Sequence, residues 1–338
     1  MMNGRQRVEA ILAGSPVDRL PVMPILHSGY ATLLGVPLGQ FYTSAEVMAS
    51  VMVRGCRMFG FDGVQLSMGV TGEAEALGAA VEQPADGAPL LRQHLLADPA
   101  DLPSLRMVDP TCGGRMPMFY GAVETAVRQI GALTYVLPTL RGPLLAASQL
   151  RGVQEILMDL IDWPDKAEAI LDFTTETALR LGRWLLGSGA RGLVLGEATC
   201  SPNFISPRFY RRFVLPRHKE LVRGLKAAGW LAVGLHICGD ITAILDDIVA
   251  TGVDFCDVDY QVPAGKAIDL ARNRIALRGN LDPSADFRFG QPGEIEARTR
   301  ALLQDVTGSR WILSSGCDIP PGTPPENLTA FARATAEG

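Results

Sequence analysis

Three residues with soft or borderline donor atoms, His236, Cys238 and Cys317, carry the strongest chemical signal in this 338-residue chain. His236 and Cys238 stand two apart in Leu-His-Ile-Cys-Gly-Asp (235–240), where a short apolar run ends. In extended backbone, residues two apart leave on the same side. Cys317 follows Ser-Ser-Gly just beyond a later apolar run. One imidazole and two thiolates suit zinc, with a fourth position left for a carboxylate, water or substrate. The thiolates disfavour magnesium and calcium. The plainer alternative is a hydrogen-bonded core histidine and two small buried hydrophobes, because His-x-Cys alone is a weak pattern.

Those donors need elements that bring them together. Short apolar runs bounded by Gly, Pro, Asp or Ser predict strands at 22–26, 63–67, 133–139, 192–196, 231–236, 253–258, 275–278 and 310–314. Such runs suit strands buried on both faces of a parallel sheet. Amphipathic helical patterns alternate with them. The clearest starts at Pro164 and puts Ile170, Phe173, Thr177, Leu181 and Trp184 on one face; others cover about 44–59, 207–228, 241–250 and 292–306. Eight strands alternating with helices predict a (β/α)8 TIM barrel. No Gly-x-Gly-x-x-Gly turn follows the first strand, which counts against a doubly wound dinucleotide fold. Residues 1–338 read as one barrel domain with an excursion at about 68–132 near the barrel mouth. That excursion contains the hairpin dipeptide Asp86-Gly87.

Composition narrows the function classes. Apolar residues make up 47% and charged residues 20%, with a formal net charge of −5. This excludes a disordered or coiled-coil chain and gives no basic field for nucleic acid or an anionic bilayer. No apolar run approaches a membrane span, and the polar start lacks a secretory h-region. The six cysteines are few for this length. Together these features predict a cytoplasmic enzyme with reduced thiols, some of them used for metal or catalysis.

In a barrel of this kind, chemistry sits at the carboxyl ends of the strands. Those positions hold His27, Arg141, Glu197, His236 with Cys238, Asp257 with Asp259, Asn280 with Asp282, and Cys317. Three longer words then bear on the family: His236 to Asp240, Gly-Asn-Leu-Asp-Pro (279–283), and Cys317 to Asn327. With the 21–42 stretch, Glu-Ala-Glu-Ala-Leu-Gly (73–78), Arg-Gly-Pro-Leu-Leu-Ala-Ala (141–147) and Ile-Ser-Pro-Arg-Phe-Tyr (205–210), they resemble the uroporphyrinogen decarboxylase superfamily. The methylcobamide:coenzyme M methyltransferase branch is the closer likeness, over nearly the whole chain. The resemblance implies a barrel, a zinc site of the His-x-Cys and distant-Cys kind, and a corrinoid as methyl carrier.

One departure separates the chain from true decarboxylases. The arginine-rich N-terminal word that holds substrate carboxylates in those enzymes is missing, and Ile-Leu-His-Ser-Gly-Tyr (25–30) stands there instead. The expected activity is therefore zinc-dependent methyl transfer between a corrinoid and a small thiol, ether or thioether. A tetrapyrrole decarboxylase and a non-catalytic corrinoid-binding barrel are the alternatives. No Asp-x-His-x-x-Gly word is present, so the corrinoid is expected on a partner protein.

Expectations for single residues follow. Asp259 is the first candidate for a fourth zinc ligand and Glu197 the second; either could instead accept the His236 ring N–H. Arg141, His27 and Asn280 are candidate substrate contacts, each with a structural alternative. Asp240 reads as a helix N-cap. Cys56, Cys200 and Cys256 look structural, and His94, His218 and Cys112 carry no signal.

Overall fold

Residues 1–336 are described by the structure, a computed structural model. Seven parallel strands curl into one sheet: β1 (Gly63–Leu66), β2 (Tyr135–Arg141), β3 (Gly192–Gly196), β4 (Ala232–His236), β5 (Phe255–Asp257), β6 (Ala276–Leu281) and β7 (Trp311–Ser315). Each pairs with the next in chain order. The segment expected as the first strand, 22–26, forms only a single parallel bridge, Val22 to Leu313 of β7. It still serves as a stave. Met23 N–H donates to Leu313 O (2.9 Å) and Asp62 N–H, beside β1, donates to Val22 O (2.8 Å), so the segment closes the barrel between β7 and β1. Pro21 and Pro24 remove two N–H donors from this stretch, which is why it makes no continuous ladder.

The staves bury two different layers. At the amino-terminal end the interior is apolar: Met23, Tyr135, Leu137, Val194, Phe255, Ala276 and Ile312 form one cluster. Val8 and Ile11 of helix α1 (Gly4–Ala13) join it and plug that end. Towards the carboxyl ends the inward side chains are polar, including Gln65, Thr139, His236, Asp257, Arg278 and Ser314. The apolar layer supplies the burial free energy, roughly 1.5–3 kcal/mol for each large side chain. The polar layer supplies the chemistry.

Several expected boundaries move. The 133–139 run shifts to Tyr135–Arg141, because Leu133 stays 63% exposed in the turn before the strand. Arg141 thereby becomes the last strand residue. The expected helix 241–250 shortens to Leu245–Val249, and Asp240 caps a turn instead, accepting from Thr242 N–H (2.9 Å). The pattern over 207–228 breaks into Pro207–Phe209, a π-helical turn Tyr210–Val214, and helix α2 (Leu215–Ala228). Pro216 has no N–H to give and so widens the turn before it. Residues 68–132 hold a short antiparallel hairpin (Val81–Glu82 with Leu90–Leu91) and end in the helix Met116–Ile130. Pro89 of the hairpin lies against Gly69, at the carboxyl end of β1. Among the described residues, no helix is long and apolar enough to cross a membrane.

One buried carboxylate latches the closure. Asp62, 3% exposed, accepts from Arg7 Nη1 (3.0 Å), Arg19 Nη1 (2.6 Å) and Val22 N–H (2.8 Å). Asp62→Ala would strip Arg19 of its carboxylate and the Val22 amide of its acceptor, and leave Arg7 with Asp18 alone. We expect a loss of about 3 kcal/mol of unfolding free energy, read as a lower urea midpoint at unchanged slope.

Candidate metal centre and active-site cavity

Register builds the site. His236 ends β4, and the pairing of Leu235 with Cys256 sets Asp257 of β5 beside it; Asp257 in turn pairs with Arg278 of β6. The three inward side chains form a row. Arg278, fully buried, donates Nε to Asp257 Oδ1 and Nη2 to Oδ2, both at 2.6 Å, and Nη2 also reaches Gln65 Oε1 at 2.6 Å. The outer face of the same carboxylate takes the His236 Nδ1 proton at 2.9 Å. Nδ1 is therefore the protonated nitrogen, and Nε2 is the one turned towards the sulfurs.

The chain then turns sharply. Gly239 adopts φ of 86°, a left-handed conformation natural to glycine, and its N–H donates to Asp259 Oδ2 at 2.9 Å. This brings Cys238 back beside His236. Cys317 arrives from β7. The donor atoms form a near-regular triangle: His236 Nε2 to Cys238 Sγ 3.3 Å, Cys238 Sγ to Cys317 Sγ 3.7 Å, and Cys317 Sγ to His236 Nε2 3.6 Å. A tetrahedral ion with ordinary zinc–sulfur and zinc–nitrogen bonds would set about 3.8 Å between sulfurs and about 3.5 Å from sulfur to nitrogen. The triangle fits. The sulfurs are too far apart for a disulfide, and all six cysteines are free.

The three donors also shift one another's proton affinities. Burial alone would lower the His236 pKa, but the Asp257 carboxylate and the Cys317 sulfur outweigh it and push it up to about 10. Cys238 is lowered by the hydrogen bond from Cys317, and Cys317 is raised by the same bond and by burial. Asp257 is held low by Arg278 and His236 against the opposing effect of burial.

The trio opens on a cavity of about 220 Å3 that also touches His27, Tyr42, Thr139 and Arg141. Arg141 is fixed by neutral acceptors, with Nη2 on Ser67 Oγ (2.6 Å) and Nε on Gly69 O (3.1 Å). Its backbone N–H donates to Glu73 (2.7 Å), a carboxyl whose pKa is raised by burial. His27 joins Asp318 through Nδ1 at 3.1 Å.

Other expected site residues are engaged elsewhere. The two carboxylates weighed as fourth ligands lie outside the donor triangle. Asp259 accepts from the Gly239 and Gln261 amides. Glu197, fully buried, caps the helix Pro143–Arg151 by accepting from Leu144 (3.1 Å) and Leu145 (2.8 Å) N–H. Neither accepts the His236 ring proton; Asp257 does. Asn280 spends its amide on Asp259 O and Val262 O and does not line the cavity.

His218, expected to carry no signal, is fully buried, with Nε2 on Glu197 Oε1 (2.9 Å) and Nδ1 near Tyr210 Oη (3.1 Å). The clue was its spacing: His218 shares one helical face with Leu221, Val222 and Leu225. Glu197, Cys200 and His218 also lie within ligand range of one another. That group suits a metal poorly, because Glu197 is taken up by amides and burial holds the Cys200 thiol well above its ordinary pKa.

With the geometry in hand, comparisons identify relatives. A methylated-thiol–coenzyme M methyltransferase of Methanosarcina mazei is 27% identical over 99% of this chain and 90% of its own. A methylcobamide:CoM methyltransferase of Methanosarcina barkeri is 27% identical over 98% and 97%. A solved methyltransferase from Methanosarcina mazei superposes with a TM-score of 0.91 at 26% identity, covering 100% of this chain and 99% of that one. The uroporphyrinogen decarboxylase (URO-D) pattern matches residues 3–338, and the chain belongs to that family.

Proposed function

We propose that this protein is a zinc-dependent methyltransferase that moves a methyl group between a corrinoid carried by a partner protein and a small thiol, ether or thioether. The observation that carries the reading is the His236–Cys238–Cys317 triangle, open to a small cavity at the carboxyl ends of the strands. The relatives' names, a methylated-thiol–coenzyme M methyltransferase and a methylcobamide:CoM methyltransferase, support it.

His236, Cys238 and Cys317 would hold the zinc, and Asp257 fixes the imidazole that faces it. Bound there, zinc would supply the Lewis acidity that makes a thiol nucleophilic at neutral pH or polarises an ether or thioether. With Asp259 and Glu197 both occupied by amides, we assign the fourth position to water or substrate. Arg141, whose guanidinium contacts no carboxylate, would receive an anionic group on the substrate. At about 220 Å3 the cavity is below the roughly 300–1,000 Å3 of clefts for drug-sized ligands. A small thiol suits it and a tetrapyrrole does not. A corrinoid would therefore present its methyl group at the mouth. Supplied there as methyl donor, the corrinoid would give up its methyl carbon to the thiolate sulfur, and the electron pair of the broken cobalt–carbon bond would stay on cobalt, Co(III) becoming Co(I). A reducing compartment such as the cytoplasm suits the six free thiols.

Elemental analysis should find about one zinc per chain. Cys238→Ala and Cys317→Ala should each lose it while keeping a cooperative unfolding transition, because the barrel has its own core; retention of metal by both would overturn the ligand set.

Zinc binding should strengthen as pH rises. The metal requires a neutral His236 and two thiolates, so the His236 proton, held up to about pH 10, and the Cys317 proton must leave. Chelator competition across pH measures this, and a flat profile would contradict it.

Zinc-edge absorption with candidate thiols, run beside methylcobalamin turnover, tests the reaction. An added sulfur ligand and a methylated thiol are expected. If neither appears, demethylation of an ether or thioether onto Co(I) replaces the acceptor direction.

A further inference from the structure

Deprotonating the thiol requires a place for the proton, and we propose that His27 Nε2 takes it. The inference rests on the thiol-methylating direction above. It assigns the base for that reaction.

His27 is held beside the metal ligands by backbone contacts. Ile319 N–H donates to Ile25 O (2.8 Å), and His27 N–H donates to Asp318 Oδ1 (3.1 Å), so residues 25–27 run along the segment that follows Cys317. The ring is oriented too. Asp318 Oδ2 lies 3.1 Å from Nδ1, and a carboxylate only accepts, so Nδ1 carries a proton and, in the neutral ring, Nε2 holds the lone pair. That Nε2 is buried and has no hydrogen-bond partner among the described residues. His27, Cys238 and Cys317 line the same cavity.

The other ionisable groups there are committed. His236 gives Nδ1 to Asp257 and faces the sulfurs with Nε2. Glu197 is saturated by two amides and His218. Burial pushes the Tyr42 phenol up, which makes it a donor rather than a base. Arg141 is a cation, and Asp318 is occupied by His27. One lone pair remains.

The step balances simply. The thiol S–H bond breaks, its electron pair stays on sulfur as the nucleophile, and the proton forms a bond to His27 Nε2. The resulting imidazolium still donates Nδ1–H to Asp318, whose charge stabilises it. Asp318 is 43% exposed, so the proton has a short route to water at the mouth. In the reverse direction His27 returns the proton to the departing thiolate.

The test uses the zinc-loaded protein with two thiols of different acidity, mercaptoethanol and the more acidic trifluoroethanethiol. A general base contributes about 10²–10⁴-fold. His27→Gln should lower kcat/KM for mercaptoethanol by about 100-fold or more, and for trifluoroethanethiol by less than about tenfold, with zinc content unchanged and partial rescue by added imidazole. Asp318→Asn should show the same thiol dependence with a smaller loss. Equal losses for both thiols, or none, would overturn the proposal. A second readout needs no turnover. The chain has four histidines, so nitrogen-15 NMR can follow each ring. His27 should carry a proton on Nδ1, and its Nε2 signal should shift when mercaptoethanol is added to the zinc-loaded protein. An Nε2 signal that does not respond to the thiol overturns the proposal even where methyl transfer proceeds. A wild-type protein that methylates no thiol instead counts against the parent reading.

Discussion

The Asp257 carboxylate, shared by Arg278 and His236, is the interaction on which the rest of the site depends. It is buried, and burial alone would favour its neutral form. A buried guanidinium on one side and an imidazole on the other keep it charged. The arrangement would be costly if either partner were removed, since an unpaired buried charge costs several kcal/mol. It persists because three adjacent strands deliver the three side chains in register, with no loop between them. In return, the carboxylate fixes which imidazole nitrogen carries the proton, and hence which one faces the sulfurs. An Asn at 257 would keep the volume and lose that instruction.

The barrel's polarity follows from the same rows. Inward positions near the amino ends are apolar and sealed by α1; those near the carboxyl ends are polar, and Gln65, Thr139 and His236 among them line the cavity. A charged row can sit in the interior because it forms the boundary between a dry layer and a wet one. The Asp62 latch holds the weakest stave, residues 21–26, which has almost no ladder of its own. That stave leads directly into His27. The same ion cluster that closes the barrel at its base therefore fixes the path of the segment lining its mouth.

Much of this was legible from sequence. Strands buried on both faces show as short apolar runs, and seven of the eight appear within three residues of their expected places. The His-x-Cys spacing and Cys317 could be read because strand ends converge in a barrel. The misses have physical causes. Residues 22–26 are apolar like a strand, but prolines deny them a ladder. The 241–250 pattern is apolar because it is buried, and only Leu245–Val249 coils into helix. Glu197 and Asp259 stand at strand ends as ligands would, yet backbone amides claim both, and amide demand depends on loop paths that no spacing reveals. Arg278 looked like the end of a strand, and its partner Asp257 becomes evident only once the register is known. His218 was different, since its helical face alone could have flagged it as buried.

The cations near the mouth bear on which substrate this member of the uroporphyrinogen decarboxylase family could take. Arg278 is offset by Asp257, and Arg115 by Glu75 at 2.6 Å. Arg141 lines the cavity, and its guanidinium donates to a hydroxyl and a carbonyl while its backbone N–H takes the Glu73 carboxyl. One guanidinium can receive one anionic group, and a substrate with eight carboxylates would bring far more charge than this site could pair. Unpaired carboxylates in a small, partly dry cavity would cost more than the remaining contacts could return. Cys238 and Cys317 work in the opposite direction. Two sulfurs within 3.7 Å have little use in binding an anion, since a thiolate repels it, but they stabilise a soft dication well. The charge balance therefore disfavours a large anion at the residues that would suit a soft metal ion.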